Sequence, residues 1–427
     1  MIRKTTLVLI TSISISLQVF AQKKISKPTK KELLKEWNKL DTFQKKMKEI
    51  FPDFGFYAAL VYDGKTISTK KNGYASREAK FKMNDKTIHM WGSVSKMFTS
   101  VAILQLMERG KLKIDDPVTK FIPELRNTSK DFGGFDSVRV YHLINHTSGL
   151  TWKHIQEALD KKYPNVKVKN SWEMTSPLFK HLKLKRKPGA KYAYNNGGYS
   201  LLGILIEKVT QQKFTDYIKN NIFKPLGMKT AHYGKTPKRL EKYLGNSYLT
   251  TKDSTQTIEF DRSQGIHEGN GGVKATIRDM LKFMNFLRFR TKKQYLKKYD
   301  KVLKWDTIKK YYYDLDVNKP SMRSSVQVKL KGAIILRAFG LMYVKNHGSV
   351  HSEKLGHSGY IAEYQSLFFV RKDVPFGIIV MTNSSGDRGT PEHIVNQRFV
   401  SSLNYFSSTG KINLRFYKWK KALRKLK

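Results

Sequence analysis

The sequence contains no cysteine. Disulfide bonds are excluded, and so are thiolate zinc sites and lipidation at a signal-peptide cysteine. Acidic residues are scarce. Asp and Glu number 34 against 81 Lys and Arg, giving a formal net charge of +47. Past the N-terminus no apolar run is long enough to cross a bilayer as a helix. No fixed-period repeat is visible, which argues against a solenoid. The histidines do not suggest a metal centre either. His142, His146, His267 and His351 lack the tight ligand spacing of a motif such as His-Glu-x-x-His. No metal or cofactor is expected.

What is present suffices for a large core. The chain has 427 residues, 40% hydrophobic and 12% aromatic. That leaves room for more than one sub-domain and rules against global disorder. The lysines are spread along the whole chain, so most of the charge reads as solvated faces. No nucleic-acid motif accompanies it, and no specific nucleic-acid partner is expected. The tail is the exception. Phe416, Trp419, Leu423 and Leu426 fall at helical spacing among Lys418, Lys420, Lys421, Arg424, Lys425 and Lys427. A basic amphipathic helix of this kind could lie on an anionic membrane or cell-wall surface, or dock on the protein itself.

The N-terminus has the features of a targeting segment. Arg3 and Lys4 precede a mostly apolar stretch, Leu7 to Phe20, and Val19-Phe20-Ala21 before Gln22 fits a cleavage site. The apolar run is short for a membrane anchor. The expectation is a signal peptide over 1–21 and an exported, periplasmic or secreted protein.

Residues 22–50 form a basic leader followed by helical spacing from Leu33 to Ile50. Phe56 to Tyr62 reads as a strand, Asp63-Gly64 as a turn, and Lys65 to Gly73 as the returning strand. A helix from about Ser93 to Arg109 ends at Gly110 and is apolar nearly all round, so it should be buried. Helical patterns recur at Gly197 to Thr210 and Ile277 to Leu287. Ile334 to Val344, Ala362 to Val370 and Phe376 to Met381 are strand-like, with a turn at Asp373-Val374-Pro375. The expected fold is therefore α+β: an antiparallel sheet built from both chain ends, packed with helices, plus a mainly helical sub-domain. The main domain is expected over 51–389 and a basic segment over 390–427. The basic, aromatic stretch 288–331 receives no assignment.

Three short motifs carry chemistry. Ser93-Val94-Ser95-Lys96 places a hydroxyl and an amine on one helix face. Serine is a weak nucleophile that needs a base, and lysine serves only if its pKa is lowered. Taken alone, the motif reads equally well as an ordinary helix N-cap. Tyr194-Asn195-Asn196 follows, and a tyrosine beside cations should ionise more readily. Gly356-His357-Ser358-Gly359 resembles a polar strand edge that could present a backbone N–H to an oxyanion.

In this order the motifs resemble the serine β-lactamase and penicillin-binding-protein superfamily, nearest to class C β-lactamases and their esterase and D-peptidase relatives. The resemblance extends through Gly110-Lys111-Leu112, Asp115-Asp116-Pro117, His146-Thr147-Ser148-Gly149-Leu150, Pro225-Leu226-Gly227-Met228 and Gly271-Gly272-Val273 to Thr382-Asn383. It implies Ser93 as the acylated nucleophile, with Lys96 and Tyr194 sharing its proton. It implies Asn196, His357, Ser358 and Gly359 as substrate-binding positions. The backbone N–H groups of Ser93 and Tyr360 would form the oxyanion hole. His146 to Gly149 would shape the cleft.

His357 stands where class C enzymes carry the lysine of Lys-Thr-Gly. A mostly neutral histidine weakens the case for penicillins and cephalosporins and favours esters, D-amino-acid peptides and related amides. If His357 binds a substrate carboxylate, affinity should rise at acidic pH. Two other readings stand beside the hydrolase: a true class C-type β-lactamase, and a non-catalytic protein binding cell-wall peptide or an anionic surface. Ser93, Lys96 and Tyr194 are all present, which speaks against a dead site.

Overall fold

The computed structural model describes residues 27–412, apart from 127, 166–171, 252, 259–260, 290–292, 317–323, 331–332, 347–351 and 388–389. The expected signal peptide and the basic amphipathic tail lie outside the described residues.

Both chain ends build one antiparallel sheet, as the sequence suggests. Its strands are β1 (Phe56–Tyr62), β2 (Lys65–Asn72), β3 (Ser325–Leu330), β4 (Ala333–Ala338), β5 (Leu341–Asn346), β6 (Ser352–Ile361), β7 (Tyr364–Arg371) and β8 (Phe376–Thr382), in the spatial order β3-β4-β5-β6-β7-β8-β1-β2. The centre of the sheet is covered on both faces. Along β1, Tyr57, Ala59 and Val61 enter one apolar cluster, while Phe56, Ala58 and Leu60 enter the other. Alternate side chains of a strand point to opposite faces. A strand covered on both sides therefore reads as a continuous apolar run, which is why β1 and β8 are plain in the sequence.

The C-terminal half contributes six strands where the sequence suggested three. Ile334 to Val344 is not one strand but the β4–β5 hairpin. It reverses at Phe339 and Gly340, with φ of 45° and 75°. Phe-Gly lacks the usual Asn-Gly or Asp-Gly turn signal, so the reversal is hidden in an apolar run. A Cβ on Gly340 would lie 2.5 Å from the Lys96 carbonyl oxygen, so the hairpin tip rests on the helix that carries the nucleophile motif.

One face of the sheet is covered by α1 (Lys30–Asn38), α2 (Leu40–Ile50) and the C-terminal helix Pro391–Thr409. Trp37 meets Phe406 at 5.4 Å, and Phe399 meets Phe43 at 5.0 Å and Phe56 at 4.5 Å, between ring centroids. Packing thus runs across positions 50 and 389, joining both terminal segments to the sheet. The other face carries the helical middle of the chain. At its centre is α3 (Lys96–Glu108), in which Lys96 through Leu106 are all buried. Against it pack α4 (Asn196–Thr210) and α5 (Ile277–Leu287). Phe98 on α3 stacks on Phe283 of α5 at 4.1 Å.

Candidate active site

Ser93 sits in a 3₁₀ turn, Gly92–Ser95, that leads directly into α3. Hydrogen bonds fix the turn from both sides. Trp91 donates its backbone N–H to the Val273 carbonyl and its indole N–H to the Ala275 carbonyl, both at 2.9 Å. Ser95 Oγ accepts from Val273 N at 3.0 Å. Gly92 has φ of +52°, and a Cβ there would lie 2.9 Å from Tyr360 N. Only glycine lets the turn and β6 approach so closely. Gly359 is packed as tightly: a Cβ would stand 2.0 Å from the Trp91 carbonyl oxygen. The turn holding Ser93 and the far end of β6 are thus locked together.

The Ser93 hydroxyl is not a helix cap. Its oxygen lies 3.0 Å from Lys96 Nζ and 2.7 Å from the Tyr194 hydroxyl. Lys96 is fully buried and donates to the Asn270 carbonyl at 2.7 Å. The rings of Tyr194 and Tyr199 stand 5.1 Å and 5.5 Å from its Nζ. No carboxylate pairs with it among the described residues. Burial, and then the positive charge of Arg337, hold its pKa well below the usual amine range. A lysine whose pKa is lowered is better suited to serve as a base.

Tyr194 departs from expectation. Burial of its hydroxyl raises its pKa to about 12, outweighing the lowering by the Ser93 hydrogen bond and by Arg337. The expected ionisation does not follow, because burial of the hydroxyl outweighs the neighbouring cation. Tyr194 is therefore a phenol that donates its hydroxyl proton to Ser93 Oγ. His146 fixes its ring. This buried histidine lies against Tyr194 at 4.4 Å, and its Nδ1 accepts from Asn195 N at 3.1 Å. Burial and the nearby Lys96 and Arg337 hold His146 well below its ordinary pKa.

The two asparagines divide their work. Asn195 caps α4, accepting from Gly198 N at 3.3 Å and donating to the Leu150 carbonyl at 2.6 Å. Asn196 begins the helix, is exposed, and makes no side-chain hydrogen bond among the described residues. It is free to meet a substrate.

The cation that His357 was expected to lack is supplied by a residue the sequence did not single out. Arg337 on β4 is buried and donates through Nη1 to His357 Nε2 at 2.8 Å. Its Nε donates to Gln327 Oε1 at 2.7 Å. Its guanidinium carbon lies 5.4 Å from the Tyr194 ring centroid and 6.0 Å from that of Tyr192. No carboxylate pairs with it among the described residues. Burial, Arg337 and Lys96 together push the His357 pKa well below its usual value. With Nδ1 turned to the Ser358 carbonyl at 2.5 Å, both ring nitrogens are occupied. In this arrangement neither ring nitrogen of His357 is open to a carboxylate. The charge resides on Arg337, and Ser358 is the member of this strand edge with an exposed side chain. A lone arginine inside the apolar run Ile334-Ile335-Leu336-Arg337-Ala338 was the available signal, because such a residue is rarely buried without a purpose.

Among the described residues no group of three or more His, Asp or Glu side chains is placed to hold a metal ion.

The family profile described as beta-lactamase matches residues 48–400. The chain belongs to the beta-lactamase family. PbpX of Bacillus subtilis (strain 168), a protein named for penicillin binding, is 30% identical over 268 residues. The match covers 61% of this chain and 62% of that protein, so the chain spans less than two thirds of its relative's length. Among solved structures, the octameric penicillin-binding protein homologue from Pyrococcus abyssi superposes with a TM-score of 0.67 at 24% identity, covering 90% of this chain and 81% of that one. The D-amino acid amidase from Ochrobactrum anthropi SV3 gives 0.61 at 21% identity, covering 86% and 96%. These likenesses establish the penicillin-binding-protein type of fold, with its sheet of both chain ends and its helical middle.

Proposed function

We propose that this chain is an exported acyl-enzyme hydrolase that cleaves a D-amino-acid peptide or amide, or a related ester, bearing a free carboxylate. The observation that carries this reading is the double contact of Ser93 Oγ, 3.0 Å from Lys96 Nζ and 2.7 Å from the Tyr194 hydroxyl. Lys96 takes the Ser93 proton as Oγ bonds to the scissile carbonyl carbon. The backbone N–H groups of Ser93 and Tyr360 meet the oxyanion. Tyr194 relays the proton to the leaving nitrogen or oxygen as its bond to carbon breaks. Water then attacks the ester on Ser93 and gives its proton to the same pair, releasing the acid and restoring the serine. Asn196 and Ser358 orient the acyl side, and Arg337 draws the carboxylate.

The D-configured substrate is supported by the names of the relatives, a penicillin-binding protein and a D-amino acid amidase. A β-lactamase is the second reading, favoured by Arg337. A permanent cation would serve the carboxylate of a penicillin as well as that of a peptide. Export rests on the first 21 residues, and surface attachment on the basic tail.

A stereochemical screen separates the readings. The purified protein is offered peptides ending in D-Ala-D-Ala and in L-Ala-L-Ala, a neutral ester and a cephalosporin. Turnover of the D-compounds with little of the L-compounds is expected. Fast cephalosporin turnover without D-peptide cleavage would replace the proposal with the β-lactamase reading.

A further inference from the structure

A second cavity, of about 460 Å³, shares no residue with the catalytic cluster. Its volume lies in the range of small-molecule sites. Four largely buried side chains form its floor: Phe223, Met228, Tyr233 and Leu240. Four exposed cations line it: Lys219, Lys224, Lys229 and Arg239. Asp216 is the one carboxylate in the lining. None of the four cations forms an ion pair among the described residues. Arg239 Nη2 reaches the Lys229 carbonyl at 3.5 Å, which draws two of them together.

The wall is also unusual. A π-helical turn, Lys219–Phe223, interrupts the helical path from Phe214 to Leu226. Such turns are rare and occur often at functional sites. Both ends of this one, a cation and a floor residue, line the cavity. Four cations around one opening repel each other, and low-dielectric walls focus their field. An anion relieves that repulsion. A bare inorganic anion would leave the apolar floor unused, and a neutral apolar ligand would leave the cations unanswered.

We infer that this cavity binds a soluble organic anion, with a carboxylate or phosphate head at the cationic rim and an apolar body on the floor. The floor is recessed and sized for one small molecule, so the occupant is a free amphiphile rather than a membrane.

Titration calorimetry with octyl phosphate, below its micelle concentration, tests this. Inorganic phosphate and octyl glucoside present each half of the ligand alone. One-site binding of octyl phosphate is expected, at least about tenfold tighter than either control. The combined Lys219→Ala, Lys224→Ala and Arg239→Ala variant should weaken it by at least about tenfold, as loss of charge-assisted contacts implies. A variant with three exposed lysines removed from the terminal helices on the far face of the sheet (Lys31→Ala, Lys45→Ala and Lys46→Ala) should bind as the parent does. Equal loss in both triple variants would reduce the effect to general charge and overturn the inference. So would the absence of saturable binding. Binding kept by the rim variant but lost in Arg337→Gln would place the anion in the catalytic cleft and overturn it as well.

Discussion

Arg337 donates to His357 Nε2 at 2.8 Å, and His357 in turn faces its Nδ1 to the Ser358 carbonyl. The pair sets the tautomer of the histidine and leaves the positive charge on the arginine. The permanent cation of the cleft thus comes from β4, while β6 supplies a neutral ring between that cation and the strand edge.

A substrate carboxylate should accordingly depend on Arg337 and not on the protonation of His357. Arg337→Gln is expected to raise KM for a carboxylate-bearing substrate by about 10- to 100-fold, the worth of a charge-assisted hydrogen bond. A neutral ester should keep its KM. In the parent protein, KM for the anionic substrate should stay flat between pH 5 and 8. Tighter binding at the acid end would restore His357 as the site.

The same substitution should move the pH profile. Lys96 must be neutral to accept the Ser93 proton. Burial and Arg337 both hold its pKa down. Removing the arginine removes one of these, so the pKa rises and the acid limb of kcat/KM moves to higher pH. Measuring kcat/KM for a neutral ester from pH 5 to 10 checks the sign. A shift to lower pH would show that Lys96 is not the titrating base.

Tyr194→Phe keeps the ring against His146 and removes the relay to Ser93. The expected loss in kcat is about 10²- to 10⁴-fold, the usual contribution of a positioned acid–base group. KM should change little, since the ring remains. Unchanged kcat in steady-state assays would assign the relay to solvent.

Much of this site was legible in the sequence, for physical reasons. Ser93 and Lys96 are one helical turn apart, so local geometry brings them together. Tyr194 arrives from a separate segment, and only motif order pointed to it. Arg337 stood out only as a lone arginine in an apolar run, and nothing in that run tied it to the site. Its place depends on the β4–β5 reversal at Phe339 and Gly340, hidden in an apolar run. The sheet was half visible for a similar reason. β1 and β8 are covered on both faces and read as apolar runs, whereas β3 and β6 carry lysine, serine, glycine and histidine. The expected ionisation of Tyr194 fails because burial of its own hydroxyl outweighs the nearby cation.

The terminal helices should matter to stability, although they lie on the far side of the sheet from Ser93. Phe399 is fully buried between Phe43 and Phe56. Phe399→Ala is expected to cost about 3–5 kcal/mol, read by denaturant unfolding. A loss below about 1 kcal/mol, that of an ordinary surface change, would mean that the terminal helices are not part of the domain core.

The most direct test of the reactive triangle is intact-mass analysis after exposure to a fluorophosphonate, beside Ser93→Ala. One adduct per chain in the parent and none in the variant is predicted. An adduct that persists in Ser93→Ala, or none on a folded parent, would contradict Ser93 as the activated nucleophile.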